Sequence, residues 1–343
     1  MSQNKNRIIQ FDALRVIAAL AVVMLHTSAQ RYIVSFPSDE WNARNLYDSL
    51  VRWGVPIFIM ISGAFFLDSN KKIDIKTLFS KYISRILFIY VFWSIVYCVY
   101  TYWGKMGPLT LASELIKGHY HLWFLKTLIG LYIFVPILRA VVADVRIERY
   151  FLCLSIVVAF VIPMSFPFLN DSSNDLVQKQ LKTFLMSTIS SNVCFFVLGH
   201  YLKNTMVKKT IKTVFYLLGV LSFVAVCVLT KFLSHRDAEP NMFFYNANNL
   251  FTFIEAVAIF IFLKDTKISP KYHQFIINAS KISLGIYILH PLMISMANDF
   301  LQFNSSFLNP LFFIPVFTLL IFIISYIVTY VFIRIPILRK LLT

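Results

Sequence analysis

The sequence predicts an all-α, polytopic membrane protein with about ten transmembrane helices and both termini in the cytoplasm. Three observations predict it. Hydrophobic residues make up 58% of the 343 residues and charged residues only 14%, more apolar side chain than a soluble domain of this length uses. Stretches near 20 apolar residues, long enough to cross a hydrocarbon core as helix, recur along the whole chain. Basic residues gather between alternate stretches. With the N-terminus placed inside, the inside segments and their flanks hold 22 of the 32 Lys and Arg, as the positive-inside rule requires. The net charge of +16 follows from that bias and calls for no nucleic-acid partner.

The expected spans lie near 11–30, 50–68, 82–103, 119–140, 150–168, 184–202, 212–232, 247–264, 281–300 and 311–333, in one domain covering 1–343. The first is read as an uncleaved span, because Asp12 and Arg15 interrupt what would be the core of a signal peptide. The sixth is the most polar, with Ser187, Thr188, Ser190, Ser191 and Asn192 at its start. Cys98, Cys153, Cys194 and Cys227 all fall in apolar stretches and match no metal spacing. No metal site is expected.

The first span carries the chain's most unusual chemistry. Ionisable groups inside a membrane span are costly and mark functional sites. Arg15 and His26 are eleven residues apart. They therefore differ by only ~20° around a helix and stand ~16 Å apart along it. A cation at one end and an imidazole far along the same face suit a long anionic ligand whose reactive end reaches inward. Asp12 lies ~21 Å below His26 and cannot orient its ring, but it is placed to pair with Arg15 at i+3.

The later spans hold further candidates, each with a plainer reading. In the second, Gly54, Pro56, Ser62 and Gly63 serve either close helix packing or ligand contact. Lys81 and Arg85 open the third, where Arg85 matches Arg15 in depth. Two arginines at one level hold phosphates, or anchor lipid headgroups. At the start of the fourth, His121 is either a substrate contact or solvated, and Trp123 fits an interfacial belt. Glu255 is the single acid deep in the eighth span, a functional candidate or a structural hydrogen bond. Ser283, Tyr287 and His290 fall at i, i+4 and i+7 on one face of the ninth. Glu255 and His121 are the candidates to orient His26.

Taken together these segments resemble the acyltransferase-3 family of bacterial membrane acyltransferases. The strongest element is Asp12-Ala13-Leu14-Arg15-Val16-Ile17-Ala18 followed by His26. Val55-Pro56-Ile57-Phe58 with Ser62-Gly63, the basic entry to the third span, His121-Leu122-Trp123-Phe124 and Ser283 to His290 support it in that order. Within the family the chain is similar to short members that O-acetylate surface or lipid-linked glycans, such as the enterobacterial common antigen acetyltransferase. One position departs: the family's Arg-x-x-Arg pair has Tyr82 first and keeps only Arg85, with Lys81 next door as a substitute.

The resemblance implies ten core spans in a bacterial inner membrane, acetyl-CoA as donor from the cytoplasm, and a sugar hydroxyl as acceptor on the far side. It implies His26 as general base or acyl carrier. Arg15 and Arg85, with Lys81 and Asp12, would serve the donor, and Glu255, His121, Trp123, Ser283, Tyr287 and His290 the acceptor or the support. Membrane lipid and glycan-assembly proteins are the expected partners, since some relatives finish the transfer with a fused domain. The rival readings are a proton-coupled carrier or flippase of lipid-linked sugars, using His26 and Glu255 as a relay, and a non-catalytic scaffold.

Overall fold

The apolar runs form helices throughout. The computed structural model describes residues 7–102, 107–164, 191–246, 248–301 and 309–342, and the described residues contain no strand. In chain order the helices are α1 (Ile9–Ser28), α2 (Asp39–Val51), α3 (Gly54–Phe66), α4 (Ile75–Tyr102), α5 (Pro108–Lys117), α6 (Trp123–Ile133), α7 (Val135–Val142) and α8 (Val145–Met164). There follow α9 (Ser191–Asn204), α10 (Lys209–Asp237), α11 (Leu250–Asp265), α12 (Pro270–Lys281), α13 (Ser283–Leu301), α14 (Pro310–Phe332) and α15 (Pro336–Leu342).

Among the described residues, seven helices are long and apolar enough to cross a membrane, and up to nine if two bent pairs count as one span each. The sequence led to an expectation of ten. The difference is local. The expected sixth span, 184–202, is described only from Ser191, as the 14-residue α9, and its polar start with Ser187, Thr188 and Ser190 lies outside the described residues. The tails of the fifth and third spans likewise pass out of them. The second span starts earlier than expected, since α2 and α3 run as one 28-residue element from Asp39. Ser38 caps its start, its hydroxyl accepting from the Trp41 N–H at 3.2 Å.

Both bent pairs turn by 60°. The first breaks between α6 and α7, where Pro136 cannot donate to the carbonyl four residues back. The second breaks between α12 and α13. Lipid-facing surfaces read directly from exposure. On α10, Leu217, Val220, Leu221, Val224 and Val228 are all exposed, a helical stripe that only hydrocarbon would solvate well.

Close backbone contact holds the centre. α3 packs most extensively on α9. A Cβ on Gly63 would sit 1.7 Å from the Phe196 carbonyl oxygen, and one on Gly199 1.9 Å from that of Met60. Gly54 meets α1 less tightly, at Ala21 and Val22. Of the two readings offered for Gly63, packing is the one realised.

Basic residues at the Arg15 end are spent largely on helix ends. Arg139 donates to the carbonyls of Phe66, Asp68 and Lys71, closing the C-terminus of α3. Lys264 donates to the Leu202 and Thr205 carbonyls, and Lys203 pairs with Asp68. At the other end of α1, buried Arg44 donates to the Thr27 and Ser28 carbonyls at 3.4 and 3.3 Å while Glu40 holds its guanidinium. That clamp fixes the last turn of α1, which carries His26.

Candidate active site

Helices α1, α4 and α13, and α6 together with the turn that precedes it, contribute to two places. At one end lies a cavity of about 270 Å³ whose lining includes Arg15, Ser62, Tyr82, Arg85, Leu125, Tyr132 and Leu284. At the other lie four histidines, His26, His119, His121 and His290, among Tyr97, Tyr120 and Tyr287. The spacing repeats on three of the helices. From Arg15 to His26 on α1, from Arg85 to Tyr97 on α4, and from Tyr132 back to His121 before α6, the offset is eleven or twelve residues, or ~16–18 Å of helix. On α13, Leu284 lines the cavity and His290 joins the cluster.

Asp12 anchors the cavity end and is buried. The Arg7 Nε donates to it at 2.5 Å, Arg15 Nη1 at 3.3 Å, and the Ser280 hydroxyl at 2.6 Å. The expected Asp12–Arg15 pair is present. Arg7 and Ser280 were not foreseen: Arg7 precedes the helix and obeys no i+3 or i+4 spacing, and Ser280 belongs to an element distant in sequence. A carboxylate with three donors is satisfied despite burial, and it holds the Arg15 guanidinium toward the cavity.

The entry to α4 supplies the other wall. Leu78–Ile83 form a π-helical turn, a local widening that often accompanies functional sites. Tyr82 lines the cavity at the position of the family's missing arginine, and Arg85 lines it too. Lys81 is exposed, with its ammonium 5.5 Å from the Tyr82 ring centroid, and is not part of the lining. Lys71, in the loop after α3, puts its Nζ 2.7 Å from the ring centroid of Phe65, another lining residue. Burial, with the Lys203 charge second, draws the Lys71 pKa down to about 8.

The histidine end has a definite hydrogen-bond order. His290 Nδ1 lies 3.2 Å from the Ile286 carbonyl, and its Nε2 lies 2.9 Å from His26 Nδ1. His26 Nδ1 also lies 3.0 Å from the Val22 carbonyl. Carbonyls only accept, so His290 carries its proton on Nδ1 and offers a lone pair at Nε2. His26 then carries its proton on Nδ1, shared between Val22 and His290. This assignment follows from the network, and it leaves the lone pair of neutral His26 on Nε2. His290, rather than Glu255 or His121, is the side chain within hydrogen-bond distance of His26.

Tyr97 organises the same end. Pro291 lies inside α13, and the Tyr97 hydroxyl meets the helix beside it. It donates to the Ile288 carbonyl at 2.6 Å and accepts from the Leu292 N–H at 3.2 Å, two groups that bond each other in an unbroken helix. Its ring stacks on His119 at 4.2 Å. His119 and His121 share a 2.7 Å contact between Nδ1 atoms. The Tyr287 hydroxyl donates to the His121 carbonyl, and His121 Nε2 is buried with no hydrogen-bond partner among the described residues. The sequence offered no signal for Tyr97, because one tyrosine in an aromatic-rich span is ordinary.

The remaining candidates divide. Ser283 bonds back to the Ser280 carbonyl at 2.9 Å and supports the break before α13. Trp123 is 40% exposed, away from the cluster's ring contacts, which suits the interfacial reading. Glu255 is buried, and neither carboxyl oxygen has a hydrogen-bond partner among the described residues. It shares no hydrogen bond with His26.

A family model described as an acyltransferase domain, that of the acyltransferase-3 family, matches residues 8–330. The chain belongs to this family. No curated protein and no solved structure matches it. The match spans both ends of the four-helix arrangement, from Arg15 to His290, and membership makes the protein a multi-pass membrane acyltransferase.

Proposed function

We propose that this acyltransferase moves an acetyl group from cytoplasmic acetyl-CoA to a sugar hydroxyl of a bacterial surface or lipid-linked glycan. The observation that carries this reading is the pairing of an arginine cavity with a histidine cluster, with Arg15 and His26 standing ~16 Å apart along α1. A donor with phosphates at one end and a thioester at the end of a long arm matches that separation. Arg15 and Arg85 hold the phosphate end by charge-assisted hydrogen bonds, and the arm runs past Leu125 and Leu284.

A sugar hydroxyl is a weak nucleophile at neutral pH and needs a base. His26 Nε2 takes its proton as the oxygen attacks the thioester carbonyl. The carbon–sulfur bond breaks, and the departing thiolate recovers the proton from His26. His290 steadies the imidazolium through Nδ1. The same Nε2 lone pair could instead carry the acetyl group briefly; donor without acceptor would then leave acetyl on His26. The ten-span, N-in/C-in topology belongs to this proposal.

The test is purified protein in lipid nanodiscs, supplied with acetyl-CoA and candidate glycan acceptors. Free CoA should appear with acetylated acceptor in equal amounts. Failure with every acetyl-CoA and glycan pair would remove the donor and acceptor assignments and leave only the family-level activity.

A further inference from the structure

A second, larger cleft of about 650 Å³ adjoins the first and shares Arg85 with it. Arg334, Arg339 and Lys340 complete its charged lining, with Phe88, Ile333 and Pro336 between them. Among the described residues no carboxylate lines it. Four cations around one cleft, with no acid in its lining among the described residues, favour a polyanion.

The cleft is built by the fold. The short helix α15 turns back into the protein, where Leu341 and Leu342 are buried. The Trp93 indole donates to the Leu341 carbonyl at 3.2 Å, tying α15 to α4. A Cβ on Gly285 would meet Thr329 at 2.3 Å and the Leu342 carbonyl at 3.2 Å, so α13, α14 and α15 close together there. Two buried leucines thus set the position of Arg339 and Lys340 just before them, across from Arg85.

We propose that Arg334, Arg339 and Lys340, with Arg85, form a phosphate subsite for the nucleotide end of the donor, continuous with the Arg15 cavity. The inference rests on acetyl-CoA being the donor. Arg85 bridges the two clefts: it meets the diphosphate leading into the arm, while the C-terminal cations meet the phosphomonoester on the ribose. A lipid headgroup offers similar phosphate chemistry, so the test must tell the two apart.

Arg334→Gln, Arg339→Gln and Lys340→Gln should each raise the KM for acetyl-CoA about tenfold, the loss of one good charge-assisted contact, and leave kcat unchanged. Arg339→Lys should retain most of the affinity if folding is intact. The wild type should prefer acetyl-CoA over acetyl-dephospho-CoA, which lacks the ribose phosphate, and the Gln variants should lose that preference. Adenosine 3′,5′-bisphosphate should compete with donor equally in neutral and in anionic nanodiscs. Unchanged KM and preference in variants of an active wild type would overturn this inference alone. So would competition that vanishes in anionic nanodiscs, which would mark a lipid site. A wild type without acetyl-CoA turnover would instead overturn the proposed function.

Discussion

His26 and His290 act as a unit, and their variants should separate by chemistry. With His26 as the proposed base or carrier, His26→Ala should lower turnover ~10²–10⁴-fold, with the protein still inserted and monodisperse. Near-wild-type turnover would take His26 out of the mechanism. His290→Ala leaves His26 in place but frees its ring, and misplacing a reacting group can cost ~10²-fold. His290→Gln should recover part of that loss, because the amide oxygen can accept the His26 Nδ1 proton as His290 Nε2 does. Equal activity in the Ala and Gln variants would reduce His290 to packing. Lys71 gives a pH signature at the other end. With its pKa lowered to about 8, it is mostly charged at neutral pH and loses that charge as pH rises. Donor KM should therefore climb between about pH 7 and about pH 9, and Lys71→Arg, charged throughout, should flatten the climb. The same slope in both proteins would acquit Lys71.

Single positions were also where sequence reading succeeded and failed most instructively. Arg15, Asp12, His26 and His290 stood out because charge or imidazole in an apolar helix is costly enough to demand a reason. The i+3 pairing of Asp12 with Arg15 followed from helix geometry alone. Tyr97, Ser280 and Arg7 gave no such signal. Tyr97 gains its place only when α4 meets α13 beside Pro291, and a contact between residues 191 apart has no trace in local periodicity.

Helices meet here through their smallest residues, and that makes α3 and α9 a sharp stability test. Gly63→Ala or Gly199→Ala must push a backbone carbonyl away from a Cβ at 1.7 or 1.9 Å. Overpacking of this kind costs ~1–3 kcal/mol and sometimes more, so detergent melting temperature should fall clearly. Gly130→Ala is the control, since its Cβ would meet nothing within 4 Å. Equal melting of all three would mean that α3 and α9 pack less closely than described. Tyr97→Phe tests another junction. It removes the side-chain hydrogen bonds to the Ile288 carbonyl and the Leu292 N–H, at ~0.5–1.5 kcal/mol for each, and should lower kcat more than it changes donor KM. Between α1 and α4, Arg15→Ala and Arg85→Ala should each weaken donor binding by ~1.5–3 kcal/mol, measured by titration from the donor side. Full affinity in both would move the phosphate site elsewhere. The bend between α6 and α7 falls inside the expected fourth span, because hydropathy averages over the 60° turn, while that between α12 and α13 falls at the start of the expected ninth.

The two ends of the bundle give the whole molecule a direction. Basic residues crowd the Arg15 end, as helix caps and as cleft lining, while the histidine end carries almost none of the cleft's charge. Hydropathy and the Lys and Arg bias made this polarity legible without any contact information, since both are sums over many residues. Donor and acceptor would then approach from opposite faces, with the acetyl group passed inside the bundle at His26. The prediction is topological. In a background with Cys98, Cys153, Cys194 and Cys227 replaced, single cysteines at Asp39 and Lys208 should label from opposite sides with an impermeant thiol reagent. Asp39 starts α2, next to the clamp that holds the His26 end of α1, and Lys208 precedes α10 near the other end. Labelling of both from one side would break the orientation. It would also leave transfer across the membrane without a geometric basis, even if acetyl transfer itself were measured.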